Sequence, residues 1–176
     1  MKKLFLLILF LLFASQNLYA DGFVLHSKDI HGQLSLKQVY SGFGCKGENI
    51  SPELEWKNIP AGTKSFAVTV YDPDAPTGSG WWHWLVFDIP ANVHRIATGA
   101  ADLPAGSIQS MTDFGKSGYG GACPPEGDRP HRYIFTVYAL DTPSLGLNKD
   151  TRPALVGFVI NKHTLAKASL IAYYGR

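Results

Sequence analysis

Charged residues are scarce in this sequence, at 17% of 176 residues, and neither sign prevails. The formal excess of +2 is carried by Lys2 and Lys3; beyond residue 20 there are 14 basic and 14 acidic residues. No basic stripe is left to track a phosphodiester backbone, which argues against nucleic acid as a partner. Chemical motifs are missing too. There is no G-x-S-x-G elbow, so serine-hydrolase chemistry has no anchor. Gly115-Lys116-Ser117 imitates the end of a P-loop, but Ser110 stands where that loop needs glycine. Asp113-Phe114-Gly115 spells a kinase triplet with no H-R-D loop or V-A-I-K lysine before it. No H-x-H or H-E-x-x-H pair exists, so a metal would have to be gathered from distant histidines and carboxylates. The sequence calls for no cofactor.

Long apolar runs are confined to the beginning. Lys2 and Lys3 precede ten apolar residues, Leu4 to Phe13, and a cut after Ala20 would follow Leu18-Tyr19. A spanning helix needs roughly 20 such residues, so residues 1–20 read as a secretory signal peptide. The mature chain, 21–176, is expected to be one periplasmic or secreted domain with no membrane span. Cysteine is limited to Cys45 and Cys123. Export to an oxidising compartment favours a bridge between them over two buried thiols. Closing a loop of that length contributes roughly 4 kcal/mol in the chain-entropy model.

What is plentiful is strand sequence. Ser65 to Tyr71 alternates as a half-buried strand should, with Phe66, Val68 and Val70 on one face. Trp82 to Ile89 is almost continuously apolar, and Tyr133 to Leu140 is rich in aromatic and β-branched residues. A last strand is expected over Ala168 to Tyr174. One helix is expected from Thr151, as cap, to about His163, with Pro153 in its first turn. These elements predict a mainly β, two-sheet antiparallel sandwich with one or two short helices.

Two segments concentrate the chemistry. Asp72-Pro73-Asp74-Ala75-Pro76 leads to Trp81-Trp82-His83-Trp84, and Cys123-Pro124-Pro125 leads to His131-Arg132-Tyr133. Proline fixes φ, so each histidine sits beside a preformed loop. Strand alternation puts His131 and Tyr133 on one face and turns Arg132 away. The same rule sets His83 opposite Trp82 and Trp84, which become core, and leaves Trp81 to line the pocket. Of Asp72 and Asp74, one is expected to face an imidazole and fix its tautomer, the other to cap local backbone. The N–H groups of Gly118, Gly120 and Gly121 could serve as additional donors. Arg129 and Arg132 are expected in solvent, and His26, His31, His94 and His163 at the surface or in caps.

At these residues the chain resembles the phosphatidylethanolamine-binding protein family, also called Raf kinase inhibitor-like proteins. The resemblance runs from about Phe23 to Tyr174, and the leader and both cysteines are similar to the exported bacterial branch. It implies a two-sheet fold with a small pocket for phosphate, acetate or a phosphorylethanolamine head group. By motif, Asp72, His83, His131 and Tyr133 would hold the ligand, with Trp81, Gly121, Pro124 and Pro125 as lining. Cys123 departs from the glycine or alanine of many relatives. The C-terminal helix that gates the pocket in animal members has no counterpart before Arg176, which implies more open access. Taken together, the readings give a non-catalytic binding protein for a small anionic or phosphorylated ligand. The alternatives are an inhibitor that docks its pocket face on a protein such as a kinase or protease, and a hydrolase built from Asp72, His83 and His131.

Overall fold

The computed structural model describes residues 22–100 and 103–176; the expected leader lies outside them. In chain order the elements are β1 (Val24–His26), β2 (Ser41–Gly42), β3 (Cys45–Lys46), β4 (Leu54–Lys57), β5 (Ser65–Asp72) and β6 (Trp81–Pro90). Then follow β7 (Arg95–Ile96), β8 (Ile108–Gln109), β9 (His131–Leu140), α1 (Pro153–His163) and β10 (Thr164–Tyr174). All named strand pairs are antiparallel, in a five-stranded sheet ordered β10-β9-β5-β6-β8, a three-stranded sheet β1-β4-β7 and the hairpin β2-β3.

The expected sandwich is present, with a helix on its outer face. Phe66, Val68, Val70, Trp84, Val86, Phe135 and Val137 pack toward Leu25, Leu54 and Trp56 of the small sheet. From the opposite face, Ala67, Leu85, Phe87 and Leu140 meet Val156 and Ile160 of α1. Each fully buried side chain of this size contributes roughly 1.5–3 kcal/mol. This double cover corrects the expectation of a half-buried strand at 65–71, since Ser65 through Val70 are all buried. The small residues Ala67 and Thr69 on the second face disguised a central strand as an edge-like one.

The helix keeps Pro153 in its first turn, but Arg152 rather than Thr151 is the cap residue, and no side chain caps it. Thr151 instead accepts the Asn148 N–H through Oγ1. Lys162 and His163 occupy the last turn, where positive charge suits the helix dipole. β10 begins four residues before the expected strand because the chain passes from helix to strand without a loop. Ala166, Lys167 and Ala168 are weak strand formers, yet pairing with β9 from Leu140 onward extends the ladder over them.

A bulge in β6 decides what the sheet presents at its end. Val70 is paired with Trp84 and Tyr71 with Trp82, which leaves His83 as the extra residue. Trp84 enters the inter-sheet core, whereas Trp82 packs on the helix side against Tyr71, with ring centroids 4.6 Å apart. The two tryptophans therefore do not share a face, contrary to simple alternation. A bulge re-aims side chains in this way.

Candidate ligand-binding site

The last residue of β5, the first residues of β6 and the first residues of β9 meet at one end of the inter-sheet layer. There they line a cavity of about 160 Å³, together with the prolines of two loops. Asp72, Trp81, His83, Pro124, Pro125, His131 and Tyr133, seven of the eight expected binding residues, are on its wall. Gly121 is not; it stands behind His83.

Asp72 is the organiser. Its Oδ2 accepts His131 Nδ1–H at 2.8 Å, while Oδ1 accepts the backbone N–H groups of Asp74 and Ala75 at 2.8 and 3.1 Å. One carboxylate thus performs both tasks that the sequence divided between Asp72 and Asp74. Both partners of the Asp72–His131 pair are buried to about 3% side-chain exposure. Nε2 of His131 lies 3.5 Å from Asp128 Oδ2, so the imidazole is flanked by carboxylates.

Asp74 faces a different surface, among Arg129, Arg132 and Tyr173, and its side chain is nearly buried there. It accepts Arg132 Nε–H and Nη2–H at 2.9 Å each, the Arg132 backbone N–H at 2.9 Å, and Arg129 Nη2–H at 3.3 Å. Hydrogen bonding from Arg132 holds the Asp74 carboxyl well below the usual carboxylate range. Arg132 and Arg129 are exposed, as the sequence led one to expect, but both engage Asp74: Arg132 as a fork clamped on its carboxylate, Arg129 more loosely.

His83 is held in the opposite manner. Its Nδ1 is 2.8 Å from the Gly120 carbonyl and 3.1 Å from that of Gly121. Carbonyl oxygens only accept, so Nδ1 carries the proton. Burial pushes the imidazole below its ordinary pKa, despite these bonds and the nearby Asp72, and favours the neutral ring. The glycine N–H groups expected to face the ligand are engaged elsewhere: that of Gly120 donates to the His83 carbonyl, that of Gly121 to Asn49 Oδ1. Gly118 belongs to a different surface, beside Asn49 and Tyr119. Gly121 is required for close approach, because a Cβ there would lie 2.1 Å from the Gln38 carbonyl oxygen.

The remaining wall is aromatic. Phe114 meets Tyr40 at 4.5 Å, Trp81 at 5.4 Å and His83 at 5.4 Å between ring centroids, and Phe43 stacks on it at 5.8 Å. Phe43, Phe114 and Thr77 were not singled out by sequence for the site; Ala75 and Pro76 belong to the proline-fixed segment that was, without a role of their own. Each phenylalanine stands next to glycine in a turn, Gly42-Phe43-Gly44 and Asp113-Phe114-Gly115; Phe43 is exposed, whereas Phe114 is half-buried among the other rings. Cys45 and Cys123 form the expected disulfide, with Cα atoms 5.9 Å apart. It fastens the Phe43 hairpin to the Pro124-Pro125 wall, which Arg176 also grips by donating from Nε to the Pro124 carbonyl at 2.7 Å. Two buried donors on lining residues, Tyr133 O–H and Trp81 Nε1–H, find no acceptor among the described residues, although the Cys123 backbone N–H approaches the Tyr133 oxygen. Burial and Asp72 drive the Tyr133 hydroxyl far above its ordinary pKa, so it remains a donor.

Fold and pocket define a class, and sequence comparison agrees with them. Residues 26–175 match the phosphatidylethanolamine-binding protein family model, and the chain belongs to that family. It is 52% identical over 147 residues to the UPF0098 protein YbcL of Escherichia coli K12, covering 81% of this chain and 80% of that one. With UPF0098 protein YbhB of the same organism the identity is 50% over 146 residues, covering 81% and 92%. The crystal structure of E. coli YbcL, described as a new member of the mammalian PEBP family, superposes with a TM-score of 0.86. That match has 49% identity and covers 88% of this chain and 98% of YbcL.

Proposed function

We propose that the chain is an exported, non-catalytic binding protein for a small anionic or phosphorylated ligand, of the phosphate or phospho-head-group class. The observation that carries this reading is the pair of unpartnered buried donors, Tyr133 O–H and Trp81 Nε1–H, on the cavity wall. A buried polar group without a partner costs about 1–3 kcal/mol, which a ligand oxygen would recover once a small shift of the ring opens the atom to the cavity. The cavity of about 160 Å³ has room for a phosphate or its ethanolamine ester and opens to solvent on one side. Hydrolysis has little support: among the described residues, the one hydroxyl on the wall besides Tyr133 is Thr77, which donates to the Gly80 carbonyl.

Titrating inorganic phosphate and O-phosphorylethanolamine into ¹⁵N-labelled protein should move the Trp81 indole signal and the amides of 72–83 and 120–133. Unchanged spectra at millimolar ligand would refute the reading. Export is checked by the N-terminus of the mature protein, expected at Asp21. One observation favours a second reading, docking on a protein: Phe43, on the cavity wall, is 67% exposed. A partner captured by the wild type and lost with Phe43→Ala would support it.

A further inference from the structure

An anion pocket ordinarily matches charge with charge, and this one does not. Among the described residues, no lysine or arginine lines the cavity. The guanidinium groups of Arg129 and Arg132 are turned onto Asp74. Any charge on His131 already faces Asp72 at 2.8 Å and Asp128 at 3.5 Å. A doubly charged ligand would enter beside the Asp72 carboxylate with no free cation to meet it.

The hydrogen-bonding inventory sharpens this. Tyr133 O–H and Trp81 Nε1–H offer donors. With its proton fixed on Nδ1 by the Gly120 and Gly121 carbonyls, neutral His83 presents Nε2 as a bare lone pair, which has no partner among the described residues. Asp72 cannot take the role of acceptor as readily, since Oδ1 holds two backbone N–H groups and Oδ2 holds His131. The wall therefore asks for a ligand that both accepts and donates.

Building on the oxyanion reading above, we infer that the pocket selects the protonated, singly charged form of its oxyacid. In this pose the ligand's own O–H donates to His83 Nε2 while its other oxygens accept from Tyr133 and Trp81. A phosphate monoester monoanion or dihydrogen phosphate meets that demand; a monoester dianion, a phosphodiester or sulfate carries no proton to donate. His83 is then a specificity-determining residue, selecting by acceptance rather than by charge.

Methyl phosphate and dimethyl phosphate test this directly. The monoester loses its second proton near pH 6, as phosphate esters do, whereas the diester keeps one charge and no O–H throughout. Titratable groups face the site from every side: Asp72 from β5, His131 and Tyr133 from β9, Asp128 and Asp113 from loops. Their own titration acts on both ligands, so the ratio of the two affinities isolates the ligand's proton. Calorimetry at pH 5, 6, 7 and 8 should show methyl phosphate favoured at least tenfold at pH 5. That ratio should fall about tenfold per pH unit above 6. Replacing His83 by asparagine keeps a donor for the glycine carbonyls and removes Nε2; in His83→Asn the ratio should collapse to within about twofold at all pH values. A wild-type ratio independent of pH, or dimethyl phosphate and sulfate binding as well as methyl phosphate at pH 5, overturns the inference and leaves the oxyanion pocket standing. Absence of binding by all three at every pH overturns both. Should His83→Asn fail to fold, the wild-type pH series decides alone.

Discussion

His131 and His83 share a cavity wall and reach it by different routes. His131 stands on a regular stretch of β9, where alternation alone sets it beside Tyr133, and its Nδ1 donates to a carboxylate. His83 stands on a bulge that interrupts β6, and its Nδ1 donates to two backbone carbonyls. At His83 burial outweighs the two carbonyl bonds and the nearby Asp72, and holds the ring below its ordinary pKa. The same side chain is thus anchored by a carboxylate in one strand and by backbone carbonyls in the other.

Breaking the bridge should separate the two rings most strongly. The Cys45–Cys123 bridge closes 78 residues of chain, and Cys45→Ser with Cys123→Ser should lower stability by about 4 kcal/mol, read from urea midpoints. Cys123 lies two residues after Gly121, one of the two glycines whose carbonyls hold His83, whereas His131 is anchored inside the sheet. At pH values where both proteins remain folded, His83 imidazole signals should shift more than those of His131. Equal shifts would mean that the two anchors are not independent.

Next in size is Asp72→Ala, expected to cost about 3 kcal/mol because it strips a buried histidine of its partner and uncaps two backbone N–H groups. Asp72→Asn should recover part of that loss by restoring an acceptor. Imidazole ¹⁵N shifts should report a changed His131 while His83 keeps its Nδ1 proton; a change of tautomer at His83 would contradict its assignment to the glycine carbonyls.

The smallest effect is one of pH. Burial depresses the His83 pKa in the folded protein below the ordinary value of about 6.5. The unfolded chain therefore takes up the proton first on acidification. This contribution to stability is complete above about pH 6.5 and is lost as the pH falls below it, at no more than about 1.4 kcal/mol per pH unit. Urea midpoints at pH 7 and pH 5 should show the decline, and His83→Asn should flatten it. An unchanged slope in the variant would assign the decline to other groups.

The parts of the site that sequence revealed were those that obey local rules. Proline-fixed loops, period-two alternation in His131-Arg132-Tyr133 and the cysteine pair are all readable from neighbours in the chain. The faces of Trp82 and Trp84 were not readable, because a bulge is defined by what pairs across the sheet and leaves no mark on one strand. Asp74 and Arg132 illustrate the same limit: a Pro-flanked aspartate looks local, yet its partners are 55 and 58 residues away. The glycine segment was recognised as a place of close approach, but which of its polar groups faced the site depended on Asn49, 72 residues distant. In the fold, the covering of β5 by α1 was hidden because small residues on the second face do not advertise burial.

The bulge also means that the aim of His83 is stored as a count rather than as an identity. Substitution scanning of β6 would alter rings and volumes while leaving two residues of that strand opposite one of β5. Removing Trp82 alone would bring His83 opposite Tyr71 and send its imidazole toward the helix. Every hydrogen-bonding residue of the pocket would still be present in the chain, and the site would have lost one of its two histidines to arithmetic.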